Sequence, residues 1–223
     1  NWKNLYLGLT LFFLGLFKKV VLADTFSAWA SAGFDTLQPL TLIPAWLTSL
    51  SYTFQLYFDF SGYSDMAVGI GWMFNIQLPV NFNSPYKATG MIDFWKRWHI
   101  TLTNFITTYL YTPILRAFGS ITFSRSLVAV FLAMLISGFW HGAGWNFIVW
   151  GGMHGAGLVV NHVWKKKKRK MPAWLGWLIT FNFVNVSFVF FRAKSLEGAG
   201  RILEGMAGLH GVMLHSSLAK IAF

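Results

Sequence analysis

From Ala173 to Phe191 the chain runs 19 residues without a charged side chain, just after the cationic stretch Lys165-Lys-Lys-Lys-Arg-Lys170. About 20 predominantly apolar residues are needed to cross the hydrocarbon core of a bilayer. Similar stretches recur. Leu5 to Leu22 is apolar apart from Lys18 and Lys19 near its end, and Leu40 to Phe58 is aromatic-rich and uncharged until its boundary with Asp59. Leu127 to Phe139 and Trp145 to Val163 are separated only by Trp140-His-Gly-Ala-Gly144. Met66 to Val80 is shorter, has Gly62, Gly69 and Gly71 in or near it, and reads as a buried or re-entrant segment. Ala23 to Pro39 is mixed and reads as a loop or interfacial helix; Ile100 to Phe118 is interrupted by Pro113. The pattern predicts an all-α, multi-pass integral membrane protein of six to eight embedded helices, several short or broken. Broken helices at membrane depth need protein or a wet cavity to support them.

Composition excludes the alternatives. Charged residues are 11% of the chain and hydrophobic ones 55%, against about 25% charged in an ordinary soluble domain. Lys and Arg number 18 against 7 Asp and Glu, and six of the 18 lie in the one run at 165–170. A charge so concentrated between apolar stretches fits a short cytoplasmic loop that also attracts anionic headgroups, and argues against a nucleic-acid partner. The absence of cysteine removes disulfides, thiolate metal sites and a Cys nucleophile. No metal-ligand spacing is present. The opening Asn1-Trp2-Lys3-Asn4 carries neither initiator Met nor signal peptide, so the expectation is a fragment of a longer protein.

Ionisable groups inside a membrane are costly and are functional candidates by default. His141 leads them, set between two apolar stretches with Gly138, Gly142 and Gly144 around it. It is either a functional imidazole in a wet cavity or a neutral one bonded to a neighbouring helix. His99 ends the aromatic-basic segment Phe94-Trp-Lys-Arg-Trp-His99; it suits either an acid–base pair with His141 or an interfacial position. His154, among Gly151, Gly152, Gly155 and Gly157, reads as a packing histidine, and His162 as interfacial. His210 and His215 carry no signal. Asp59 and Asp65 either line a polar cavity or, for Asp65, cap a helix.

At these residues the sequence resembles the membrane-bound O-acyltransferase family, and most of all its bacterial alginate O-acetyltransferase branch. The resemblance rests on Phe54-Gln-Leu-Tyr-Phe-Asp-Phe-Ser-Gly-Tyr-Ser-Asp-Met66, Pro79-Val-Asn-Phe-Asn-Ser-Pro-Tyr86, Phe94-Trp-Lys-Arg-Trp-His-Ile-Thr-Leu102, Gly138-Phe-Trp-His-Gly-Ala-Gly-Trp-Asn146 and Trp150-Gly-Gly-Met-His-Gly155. Their order and spacing agree from Tyr52 to Asn161. A departure follows Pro113, where Ile114-Leu-Arg-Ala-Phe118 replaces a glycine-rich stretch, and it leaves the acceptor open.

The resemblance implies one membrane domain over residues 1–223, lacking the family's N-terminal helices, with transmembrane, short and re-entrant helices around a central funnel. It implies acyl transfer to hydroxyls in a bacterial inner membrane. The acyl group is expected to be acetyl from acetyl-CoA or another acyl thioester as donor substrate, with no bound cofactor. The expected acceptor is an exported cell-surface polysaccharide such as alginate, reached with a periplasmic acyltransferase partner. His141 matches the family's active-site histidine, as general base or as an acyl relay, and His99 its second polar residue. Lys96 and Arg97 are candidates for the CoA phosphates. The rival readings are a transporter or channel, which predicts an internal symmetry absent from the chain, and a non-catalytic scaffold of a polysaccharide-modification complex.

Overall fold

The computed structural model describes residues 1–212, and every regular element among them is helical. Three helical stretches are long and apolar enough to cross a membrane: Trp2–Phe34, Phe123–His141 and Ala173–Arg192. The described residues form two compact units, Asn1–Val80 together with Arg192 onward, and Asn81–Phe191.

In the first unit, α1 (Trp2–Phe17) continues through a π-helical stretch (Lys18–Ala23) into α2 (Asp24–Phe34). Ala23 to Phe34, expected as a loop or interfacial helix, is therefore part of one long helix. α3 (Leu42–Met73) is likewise continuous, where a span ending at Phe58 and a separate re-entrant segment from Met66 were expected. Asp59 and Asp65 are tolerated mid-helix because each has a cation opposite it. Lys18 Nζ lies 2.5 Å from Asp65 Oδ2, and Lys19 is paired with Asp59. Asp65, inside α3, therefore caps no helix start.

α1 and α3 run antiparallel along a seam of glycines. A Cβ on Gly8 would lie 2.5 Å from the Gly69 carbonyl oxygen, and one on Gly69 would lie 2.6 Å from that of Gly8. Gly15 and Gly62 repeat the same reciprocal approach at 2.5 and 2.6 Å. Each pair is seven residues from the next along its helix, two turns, so the glycines share one face. α10 (Leu196–Met206) closes the unit on α3. Trp46 Nε1 donates to the Met206 carbonyl at 3.0 Å, and Arg201 donates to the carbonyls of Phe34, Thr36 and Gln38.

The second unit contains α4 (Met91–Trp95), α5 (Ile100–Ile106), a π-helical turn (Thr107–Tyr111), α6 (Thr112–Ala117), α7 (Phe123–His141), α8 (Trp145–Lys166) and α9 (Ala173–Arg192). Pro113 has no N–H for the Tyr109 carbonyl, and its ring crowds that oxygen. The turn just before it widens to π geometry, and Thr112 Oγ1 donates to the Thr107 carbonyl at 2.8 Å. α7 and α8 form a tight hairpin around Gly142 to Gly144. A Cβ on Gly151 would sit 2.6 Å from the Met134 carbonyl oxygen, so only glycine allows this approach.

Candidate active site

His141 is the last residue of α7, and Gly142 turns the chain out of the helix in an extended conformation. Its half-buried ring is walled by aromatics. Ring centroids lie 4.9 Å away for Trp140, 5.0 Å for Trp150 and 5.2 Å for Phe191, all edge-on. These contacts fix the plane of the imidazole without engaging its nitrogens, which have no hydrogen-bond partner among the described residues.

His154 is the opposite case. It is fully buried, and both nitrogens are occupied. Trp95 Nε1–H can only donate, so His154 Nδ1, 3.2 Å away, accepts. Ser187 Oγ donates to the Val184 carbonyl at 2.7 Å, which leaves it to accept from His154 Nε2–H at 2.8 Å. The neutral Nε2–H tautomer satisfies every group. His154 therefore ties α4, α8 and α9 together, as the glycine-rich surroundings suggested.

His99 precedes α5 in a left-handed conformation, with φ 44°, which histidine adopts more readily than most non-glycine residues. Asn81 holds it there. The Asn81 carbonyl accepts from Ile100 N at 3.0 Å, and its Oδ1 accepts from Thr101 N at 3.2 Å and Thr101 Oγ1 at 2.7 Å. His99 Nδ1 lies 3.2 Å from the same Oδ1. The first turn of α5 is thus capped from 20 residues away. His99 lies in the loop outside the spanning helices. Burial, and after it the neighbouring His141, push its imidazole down to a pKa of about 4. The two histidines named from the sequence are therefore brought within electrostatic reach of each other.

Lys96 and Arg97 diverge. Arg97 Nε donates to Asp93 at 2.8 Å, and its terminal nitrogen reaches the Asn83 carbonyl at 3.3 Å. Exposed Lys96 lines a largely apolar cavity of about 600 Å³, with Trp95, Thr103, Tyr111, Met134 and His162. Neither His99 nor His141 lines it. His162 is half-buried there, and His210 lies 3.3 Å from Glu204; His215 falls outside the described residues. Among the described residues, no three His, Asp or Glu side chains cluster as a metal site would require.

Asn81, Ser187 and Phe191 were not singled out from the sequence. Asn81 lies inside a motif already noted, but no spacing rule links a loop asparagine to a histidine 18 residues on. Trp150 was visible as part of Trp150-Gly-Gly-Met-His-Gly155, though not as a wall of the His141 site.

The sequence pattern described as MBOAT, membrane-bound O-acyltransferase family, matches residues 1–197. A peptidoglycan O-acetyltransferase of Helicobacter pylori is 56% identical over 219 residues, covering 96% of this chain and 41% of the relative. A probable alginate O-acetylase of Pseudomonas aeruginosa is 44% identical over 200 residues, covering 89% of this chain and 38% of the relative. A teichoic acid D-alanyltransferase of Streptococcus thermophilus is 34% identical over 163 residues, covering 63% and 39%. The chain thus spans about two-fifths of the length of these relatives. It belongs to the membrane-bound O-acyltransferase family.

Proposed function

We propose that this chain carries the catalytic histidines of a membrane O-acyltransferase that moves acetyl from an acyl thioester toward hydroxyls of a cell-surface glycan. The observation that carries the reading is the contrast between the histidines. His141 is oriented by three aromatic rings with its nitrogens unengaged, while the fully buried His154 is saturated. An imidazole presented in this way suits a general base. It takes the proton of the incoming hydroxyl as the new C–O bond forms at the thioester carbonyl; the C–S bond then breaks, and the proton passes to the leaving thiolate. His99 completes the pair. Lys96, exposed and among the residues lining the apolar cavity, is the candidate contact for a phosphate of the donor, whereas Arg97 is already engaged with Asp93.

The names of the relatives support acetyl as the group moved and an envelope polymer as its destination. The 56% identity to a peptidoglycan O-acetyltransferase makes peptidoglycan the first acceptor to assay and alginate the second. The site of action in this reading is the bacterial inner membrane, with a periplasmic partner delivering the group. The test is His141→Ala in the full-length protein, with membrane insertion confirmed and acetyl ester on the envelope polymer measured. A loss of 10²-fold or more is expected, at the scale of a removed general base. Unchanged acetylation overturns the assignment.

A further inference from the structure

We propose that Asn81 is a positioning residue that fixes His99 as its Nδ1–H tautomer, making Nε2 a hydrogen-bond acceptor and excluding His99 as the donor that polarises the acyl carbonyl. The inference deepens the catalytic reading above, in which His99 belongs to the site.

The logic begins with an atom whose identity is certain. A backbone N–H can only donate, and Thr101 N lies 3.2 Å from Asn81 Oδ1. That fixes the side-chain orientation of Asn81, because an amide NH₂ in the same place would set donor against donor. Thr101 Oγ1 at 2.7 Å is satisfied by the same orientation. An amide oxygen accepts and never donates. His99 Nδ1, 3.2 Å from it, must then carry the proton, since an unprotonated Nδ1 would face oxygen lone pairs across that gap. In a neutral imidazole one nitrogen is the donor and the other the acceptor, so Nε2 holds the lone pair. The low protonation range imposed by burial keeps the ring neutral near pH 7.

The geometry is built in rather than incidental. The Asn81 main chain accepts from Ile100 N at 3.0 Å, and Asn83 N donates to the Arg97 carbonyl at 2.9 Å. The strand-like stretch holding Asn81 is therefore pinned on both sides of the His99 bend. With Nε2 as acceptor, His99 can receive an O–H or N–H but cannot give one. The carbonyl oxygen must be stabilised by some other group.

The test reads the proton directly. Full-length protein labelled with ¹⁵N in its histidine rings is compared with His99→Gln, which identifies the His99 signals. At neutral pH His99 is expected to show a protonated Nδ1 and an unprotonated Nε2. Asn81→Asp keeps the accepting oxygen and keeps that pattern; Asn81→Leu removes it and shifts His99 to a mixture or to Nε2–H. A wild-type protein whose His99 is mainly Nε2–H overturns the proposal, even if Asn81→Leu does not fold. So does an unchanged pattern in folded Asn81→Leu. Acetyl transfer is measured on the same samples, where Asn81→Leu is expected to lose tenfold or more and Asn81→Asp to retain more than Asn81→Leu. A tautomer that changes as expected with transfer unaltered counts against the catalytic reading of His99 and leaves the assignment to Asn81 standing.

Discussion

Three histidines of the second unit share a neighbourhood and differ in what occupies their nitrogens. His154 is closed on both sides by Trp95 and Ser187, His99 is held at Nδ1 by Asn81, and His141 packs edge-on against three aromatic rings with its nitrogens unpaired among the described residues. Their mutational signatures should divide accordingly. His154→Ala strands the buried indole N–H of Trp95, removes the donor to the Ser187 hydroxyl and opens a cavity, and should cost about 2–5 kcal/mol in unfolding free energy. His141→Ala breaks no hydrogen bond among the described residues and should cost about 1 kcal/mol or less, while abolishing transfer. Denaturant or thermal unfolding of the purified full-length variants separates the two; equal destabilisation would contradict the division.

At the level of helices, the α1–α3 seam depends on four glycines whose missing Cβ atoms leave the backbones in contact. Gly62→Leu places a side chain against the Gly15 carbonyl and the Lys19 backbone, and neither can yield without separating the helices. The expected loss is about 3 kcal/mol or more, at the upper end for overpacking, read as lost thermal stability or failed insertion. Gly200 in α10 has nothing within 4 Å of the position a Cβ would take. Gly200→Ala should therefore stabilise the protein by about 0.5–1 kcal/mol, because only the unfolded chain loses freedom. The two substitutions have the same residue type and opposite signs. Hydropathy does not distinguish a glycine on a seam from one facing open space, because that depends on which backbone passes opposite.

Across the whole chain, the first unit joins residues from both ends of the described sequence. Asp35, just after α2, accepts from Lys194 Nζ at 2.9 Å and lies 3.6 Å from Arg192. The hydrogen bond from Lys194, opposed by partial burial and aided by the charges of both cations, holds the Asp35 carboxyl below its ordinary range. A folded pKa below the unfolded one adds stability above the unfolded value and loses it as pH falls through the folded one. The contribution should therefore be constant near neutrality and be lost progressively as pH falls below about 4. Because the pair is partly exposed, it is worth less than about 1 kcal/mol and weakens with salt. Asp35→Asn should lower stability at pH 7, and its deficit relative to the wild type should shrink as pH falls below about 4; a deficit that does not shrink in acid would refute the linkage.

The sequence by itself determined the class of fold and the family, and it singled out His141 and His99 as the candidates for the site. Those features follow from local facts: long apolar runs suit only a bilayer, and ordered motifs identify a family residue by residue. The tertiary structure alone decided that α3 passes unbroken through Asp59 and Asp65, because their cations sit 40 and 47 residues earlier. It alone decided that His154 is saturated, through partners 59 and 33 residues away, and that the side chain of Asn81 meets Nδ1 of His99. Hydrogen bonds and ion pairs act over about 3 Å and in fixed directions. Which groups meet at that range depends on the path of the backbone, and no spacing along the chain encodes it.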